Sequence, residues 1–307
     1  MGSLRIAVDI GGTFTDVATL DERDNTLHVV KVPTTPKDFV QGFLDGVKRS
    51  NLVPENAAYV VHGTTIATNA VVQRSLPRTA LLTTEGFRDI LEIMRGNRPA
   101  WGLYDIRWKK PAPMIARSLR FEIPERVDYR GRVVKPLDEK QARLTIARLK
   151  QLGVRSVAVC FLFSNMNPSH ERRVAELIVE AIPEATVSLS SEVNPEVREY
   201  ERTSTTAIDA CVKPVVAEYL ARLEAALARL RFTCPLMIMR SGGGMMSSQL
   251  ARRIPIHTIE SGPAGGVIGA ANLATRNPIR NMLAIDMGGT TFKVSLIENG
   301  QPRLKNE

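Results

Sequence analysis

Short apolar runs and helix-spaced apolar stripes alternate along the whole chain. Leu4 to Val8 and Val17 to Leu20 flank Gly11-Gly12 and predict two strands joined by a tight turn. Leu27 to Val32 is a third strand, closed by Pro33 and Pro36. Lys37 to Ser50 then places Phe39, Val40, Phe43, Leu44 and Val47 on one face of a helix. Ala57 to Val61 reads as a buried strand, Ile66 to Gln73 as a helix capped by Thr64 or Thr65, and Thr79 to Thr83 as another strand. The next stretch predicts a helix over Gly86 to Met94 and strands around a Tyr129-Arg130-Gly131 turn. Asp138 to Leu152 follows as a helix with Leu144, Ile146 and Leu149 inward and Gly153 as its stop. Strands at Val157 to Phe163 and Thr186 to Leu189 enclose a helix over Pro168 to Ile182, on which His170 is expected to be solvated. Val197 to Leu230 is a long helical region, expected to break at Pro214. Leu236 to Met239 is a short strand, Val267 to Leu273 an Ala/Gly-rich helix, and Met282 to Ile285 and Val294 to Ile297 the last two strands. The result is an α/β fold, expected in four segments: 1–85, an α/β insertion over 86–192, 193–280 and 281–307.

The opening hairpin recurs. Val8 to Val17 reads VDIGGTFTDV, and Ile285 to Val294 reads IDMGGTTFKV. One copy is compatible with a plain hairpin, because glycines tolerate the backbone of tight turns. Two copies, each with Asp two residues before the glycines and Thr after them, favour chemistry. A Gly-Gly turn lets an anion approach the backbone N–H groups, Thr hydroxyls add donors, and a strand-end Asp suits Mg²⁺. Two such hairpins facing each other are built to grip the phosphates of one ATP. His62-Gly63-Thr64-Thr65 ends a strand at a helix start, a place that favours anions. There His62 is a proton donor, a ligand or a satisfied core imidazole. Trp101, Tyr104 and Trp108, interleaved with Arg98, Arg107, Lys109 and Lys110, form either a carboxylate clasp or a surface or subunit contact. Glu260 to Gly266 reads ESGPAGG and serves either close packing or a ligand loop.

Composition narrows the classes. The 307 residues are 44% apolar, enough for a sizeable core and at least two domains. A formal charge of +9 comes from scattered lysines and arginines with only 5% aromatics, which excludes a nucleic-acid stripe. Cys160, Cys211 and Cys234 lie far apart without metal or redox spacing, which points to buried thiols in a reducing cytoplasm. No membrane span or signal segment is expected.

The paired hairpins resemble those of the actin-like ATPase superfamily. The runs VHGTTIATNAVV, LLTTEGFRDILEI, VREYERTSTTAIDACVKP, ESGPAGGVIGA and DMGGTT, together with VDIGGTFTDV, resemble the hydantoinase A/5-oxoprolinase family over nearly the whole chain. That resemblance implies an actin-like fold with an RNase-H-like first lobe, Mg²⁺-ATP, and phosphorylation of a carbonyl or enol oxygen. The substrate implied is a small cyclic amide, hydantoin-like or 5-oxoproline-like, activated for hydrolysis with a hydantoinase B-type partner subunit. The alternatives are an ATP-dependent ketone carboxylase subunit and a non-catalytic actin-like scaffold. By the same resemblance Asp9, Gly11, Gly12, Thr13 and Thr15 form one phosphate hairpin, and Asp286, Gly288, Gly289, Thr290 and Thr291 the other. Asp9 and Asp286 flank the metal, and His62, Gly63, Thr64 and Thr65 sit nearer the substrate. Lys293 stands where the first copy has Asp16 and is either a phosphate contact or a subfamily trait. Only Thr290 to Glu307 follow the second Gly-Gly pair, where the resemblance implies a whole further lobe. The expectation is therefore a fragment or a split gene, binding nucleotide weakly and inactive alone.

Overall fold

The computed structural model describes residues 2–96, 98–288 and 292–303. Gly289, Thr290 and Thr291 of the expected second hairpin lie outside the described residues. The chain opens with β1 (Leu4–Ile10), β2 (Phe14–Asp21), β3 (Thr26–Pro33), α1 (Phe39–Arg49), β4 (Ala57–Thr64) and α2 (Ile66–Val72). It continues through β5 (Thr79–Thr84), α3 (Ile90–Ile93), β6 (Arg120–Ile123), β7 (Arg126–Val127), β8 (Val133–Lys135) and α4 (Glu139–Gln151). Next come β9 (Ser156–Cys160), α5 (Ser169–Ala181), β10 (Thr186–Leu189), α6 (Ser190–Val193) and α7 (Glu199–Arg229). It closes with β11 (Leu236–Met239), β12 (Met245–Ser247), α8 (Ser248–Arg253), α9 (Ser261–Arg276), β13 (Met282–Met287), β14 (Phe292–Glu298) and β15 (Gln301–Pro302). These elements gather in two compact units, Met1–Asn69 with Val216–Glu307, and Ala70–Val215.

The first unit is built on a six-stranded sheet of order β12-β11-β4-β1-β2-β3. β11, β4 and β1 run parallel, while β2, β3 and β12 are antiparallel to their neighbours. Strand alternation divides its two faces. Leu4, Ile6, Val8 and Ile10 of β1 are buried on one face, where α1 packs with Phe43 and Val47, and Arg5, Ala7 and Asp9 point to the other. Helix α1 starts where the Asp38 carboxylate accepts from the Val40 N–H at 3.2 Å. It lies close to the sheet because Gly46 has no Cβ; one would come within 2.7 Å of Val17 Cγ2. A second sheet, β13-β14-β15, packs on α9 through Ala271, Ala274 and Ile297.

The second unit holds an all-parallel sheet of order β10-β9-β5-β6. One face buries Leu82, Val157 and Val159 with Ile146 and Leu149 of α4 and Val174 and Ile178 of α5. The other buries Leu81, Ala158 and Cys160 with Ala207, Ala210 and Cys211 of α7. Both faces are covered, so β9 is buried along its length rather than alternating.

Four expectations are corrected. Leu144 is exposed, because the inward positions of α4 are Ala142, Thr145, Ile146 and Leu149. The helix expected over Gly86 to Met94 is one turn, Ile90–Ile93, since Arg117 takes both oxygens of Asp89, at 2.7 and 2.8 Å, and leaves no side-chain cap. Helix α7 runs unbroken through Pro214. The proline cannot donate to the Ala210 carbonyl, and the Ser156 hydroxyl does so instead at 2.7 Å. His170 is buried, with Nδ1 2.8 Å from Glu125 Oε2. Among the described residues, no helix is long and apolar enough to cross a membrane.

Candidate functional site

The sheet face away from α1 forms the floor of a cavity of roughly 500 Å³ in the first unit. Ala7 and Asp9 of β1, Asp16 and Ala18 of β2, Val29 of β3, and Val61 and Gly63 of β4 line it, as their alternation requires. Gly11 and Gly12 close one end, and the start of α9 and Asp286, Gly288 and Lys293 of the repeat close another. The two matching stretches therefore converge on one cavity.

Asp9 is its most constrained group. A Cβ on Gly63 would lie 2.5 Å from Asp9 Oδ1, and one on Gly262 would lie 3.3 Å from the same oxygen. The carboxylate occupies this position because Gly63 has no Cβ, and Gly262 leaves it further room. Burial, then the neighbouring Asp16 and Asp286 carboxylates, push the Asp9 carboxyl above the usual carboxylate range, and Lys31 acts against them. Asp16 is partly neutralised by Lys31 at 2.6 Å, and Lys293 pairs with Glu260 at 2.5 Å. Oxygen donors that repel one another and are closely confined suit a hard divalent cation.

The hydroxyls beside the cavity are committed to its frame. Thr64 Oγ1 accepts from the Ile66 N–H at 3.3 Å and starts α2. Thr65 Oγ1 donates to the Ile10 carbonyl at 3.2 Å and accepts from Asn69 at the same distance. Thr68 Oγ1 accepts from the Glu260 N–H at 3.1 Å. These bonds hold the ends of β1 and β4 and the entry to α9 together.

Two residues expected at the ligand are placed elsewhere by the same alternation. Thr15 is fully buried on the α1 face, its hydroxyl 3.1 Å from that of Thr34. His62 is also fully buried on that face, edge-on to Phe43. Its Nδ1–H donates to the Val8 carbonyl at 3.0 Å, which leaves Nε2 to accept from the Tyr219 hydroxyl at 2.8 Å. Burial lowers the imidazole to about 4, so it is neutral at pH 7. Thr13 is exposed on the hairpin tip, outside the cavity lining.

Conversely, the cavity takes in a stretch whose role the sequence left open between close packing and a ligand loop. Glu260, Ser261, Gly262, Pro263, Gly265 and Gly266 line it, because α9 begins at Ser261 rather than after the glycines. ESGPAGG is thus the first turns of a helix, brought close by its small residues. Asp16 was not selected from the sequence, although its place opposite Asp9 follows from the hairpin register.

The chain matches the hydantoinase/oxoprolinase N-terminal region over residues 5–182 and hydantoinase/oxoprolinase over 202–307. A caprolactamase subunit alpha from Pseudomonas jessenii is 32% identical, over 99% of this chain and 44% of its own length. An acetophenone carboxylase gamma subunit from Aromatoleum aromaticum is 37% identical, over 97% and 43%. A nucleotide-free acetone carboxylase structure, solved in a study of ATP-dependent acetone carboxylation, superposes with a TM-score of 0.88 at 27% identity, covering 98% of this chain and 45% of that one. The chain thus spans a little under half the length of these relatives. The fold is of the actin-like ATPase type, and the chain belongs to the hydantoinase/oxoprolinase family.

Proposed function

We propose that the cavity binds the phosphates of Mg²⁺-ATP, and that the chain is part of an ATP-dependent subunit that phosphorylates the carbonyl oxygen of a small cyclic amide. The observation that carries this reading is the convergence of Asp9 and Asp286, each on a strand that ends just before a Gly-Gly pair of the sequence, on one cavity beside the start of α9. Among the described residues no group of three or more His, Cys, Asp or Glu side chains converges as a metal cage. Two carboxylates, with water and phosphate oxygens completing the shell, is how proteins commonly hold Mg²⁺. Mg²⁺ bound there would supply charge neutralisation at the phosphates. Gly11 and Gly12, with Gly288 and Lys293, form the phosphate wall in this reading, and Gly289, Thr290 and Thr291, outside the described residues, are assigned to phosphate by the repeat of the sequence alone. Thr13, Gly63, Thr64 and Thr65 lie at its margin. His62 acts as a positioning residue, fixing the end of β1 beneath Asp9 through the Val8 carbonyl.

In the reaction, the bond between the γ-phosphorus and the ADP oxygen breaks and a bond from phosphorus to the amide oxygen forms, as the amide N–H proton leaves. Water then adds at the activated carbon, the C–N bond breaks and the nitrogen takes back a proton, which opens the ring to an amine and an acyl phosphate; a second water cleaves the acyl phosphate to the carboxylate and inorganic phosphate. A hydantoinase B-type partner is assigned the hydrolytic half, in keeping with relatives named as subunits. A reducing cytoplasm suits the three free cysteines. The acetophenone carboxylase relative favours a second reading, phosphorylation of a ketone enol ahead of carboxylation. Phosphate release with the partner present tests both. Release that depends on a lactam supports the first, release that depends on a ketone and bicarbonate supports the second, and ATP turnover unaffected by Asp9→Ala overturns the site assignment.

A further inference from the structure

The two hairpins carry opposite charge at one equivalent position. In strand register Asp9 stands opposite Asp16, whereas Asp286 stands opposite Lys293, and all four line the cavity. Each odd member has its own counter-charge: Lys31 of β3 answers Asp16 at 2.6 Å, and Glu260 answers Lys293 at 2.5 Å. Glu260 is an unusual residue for that duty. It immediately precedes α9 with left-handed backbone angles, φ 63° and ψ 24°, a region that disfavours any residue with a Cβ. Its carboxylate makes no capping bond to the helix. Its N–H is held by the Thr68 hydroxyl, and its side chain reaches Lys293 instead.

We infer that Glu260 is a positioning residue that holds the Lys293 ammonium in the cavity as the cation meeting nucleotide phosphate on the side of the second hairpin. This rests on the proposed Mg²⁺-ATP site and adds to it the origin of its anion selectivity. Asp9, Asp16 and Asp286 alone would repel a polyphosphate. Among the described residues that line the cavity, Lys293 is the one basic side chain. An ammonium carries three donors, so Lys293 can keep Glu260 and still donate to a phosphate oxygen. Simple stabilisation does not account for the pair, because a half-exposed ion pair contributes little and Glu260 holds a disfavoured backbone to make it. The cavity therefore offers both charges, the Asp9 and Asp286 carboxylates for the metal and the anchored Lys293 cation of the second hairpin for the anion.

The test is Mg²⁺-ATP affinity, measured by titration followed by NMR and extended into the millimolar range, at low and moderate salt. Thermal melts confirm that each variant is folded. Lys293→Met is expected to weaken binding about tenfold to a hundredfold and to flatten its salt dependence. Glu260→Gln is expected to weaken it about threefold to tenfold, with little further loss when combined with Lys293→Met. The double change Glu260→Lys with Lys293→Glu restores an ion pair but puts the anion at the wrong end, and is expected to bind no better than Lys293→Met. Wild-type affinity in Lys293→Met or in the exchanged pair overturns the inference. Asp9→Asn separates the two levels: if it loses binding while Lys293→Met keeps it, only the role of Lys293 and Glu260 falls. If wild type and Asp9→Asn bind alike, or neither binds, the Mg²⁺-ATP site itself falls.

Discussion

Asp9 rests against Gly63: a methyl group at that glycine would sit 2.5 Å from the carboxylate oxygen. Gly63→Ala is therefore a direct probe of the site. The backbone at Gly63 lies outside the left-handed region, so alanine is compatible with β4, and the Asp9 side chain rather than the strand must move. We expect a melting temperature within a few degrees of wild type and Mg²⁺-ATP affinity lowered at least about tenfold. Calorimetry and titration on the same sample check both halves.

Asp9 itself should trade stability for binding. Its folded-state pKa is raised above the unfolded value by burial and by Asp16 and Asp286. Ionising it therefore costs stability as pH rises from the unfolded value through that raised value. In metal-free buffer at pH 7, Asp9→Asn should melt higher than wild type, and the difference should vanish in acid. Addition of Mg²⁺ and ATP should stabilise wild type and leave the variant unmoved.

His62 gives the opposite pH slope. Its folded value of about 4 lies below the ordinary 6.5, so the unfolded chain binds the proton more readily. Stability is full above about pH 6.5 and falls as pH drops toward 4, by about 3 kcal/mol at about 1.4 kcal/mol per unit. Tyr219→Phe removes the donor to Nε2 and should cost about 1–3 kcal/mol at pH 7. Urea melts across the pH range measure both.

The proline within α7 sets up a paired test. Ser156→Ala leaves the Ala210 carbonyl without its donor, and also removes the hydroxyl that Thr186 bonds at 2.9 Å. The expected cost is about 1–3 kcal/mol. Pro214→Ala restores a backbone donor to that carbonyl, so the double variant should recover part of the loss. Strict additivity in a double-mutant cycle would show that the serine does not serve this carbonyl.

Much of this was legible in the chain. Strand alternation, turn glycines and helix spacing placed most elements, and the repeat of Asp-x-Gly-Gly-Thr named both halves of the cavity. What local pattern lacked was the sidedness of long-range contacts. Thr15 and Asp16 are adjacent, and only the packing of α1 decides which one lines the cavity. His62 finds its second partner 157 positions away, at Tyr219. Pro214 reads as a break until Ser156, from a distant strand, supplies the missing donor. The Glu260 stretch stayed open between packing and a ligand loop because small residues serve both, and here they bring a helix start up to Asp9.

The order of strands β11-β4-β1 has a consequence during synthesis. β4 is complete at Thr64, yet the strand that pairs with its other edge begins at Leu236, about 170 residues later. At common translation rates of about 5–20 residues per second, that edge waits about 10–30 seconds without its partner. Meanwhile the continuous segment Ala70–Val215 has been made and can collapse around its own parallel sheet. Nascent chains should therefore be most vulnerable to misassociation in that interval, through an open ladder of backbone donors and acceptors on β4.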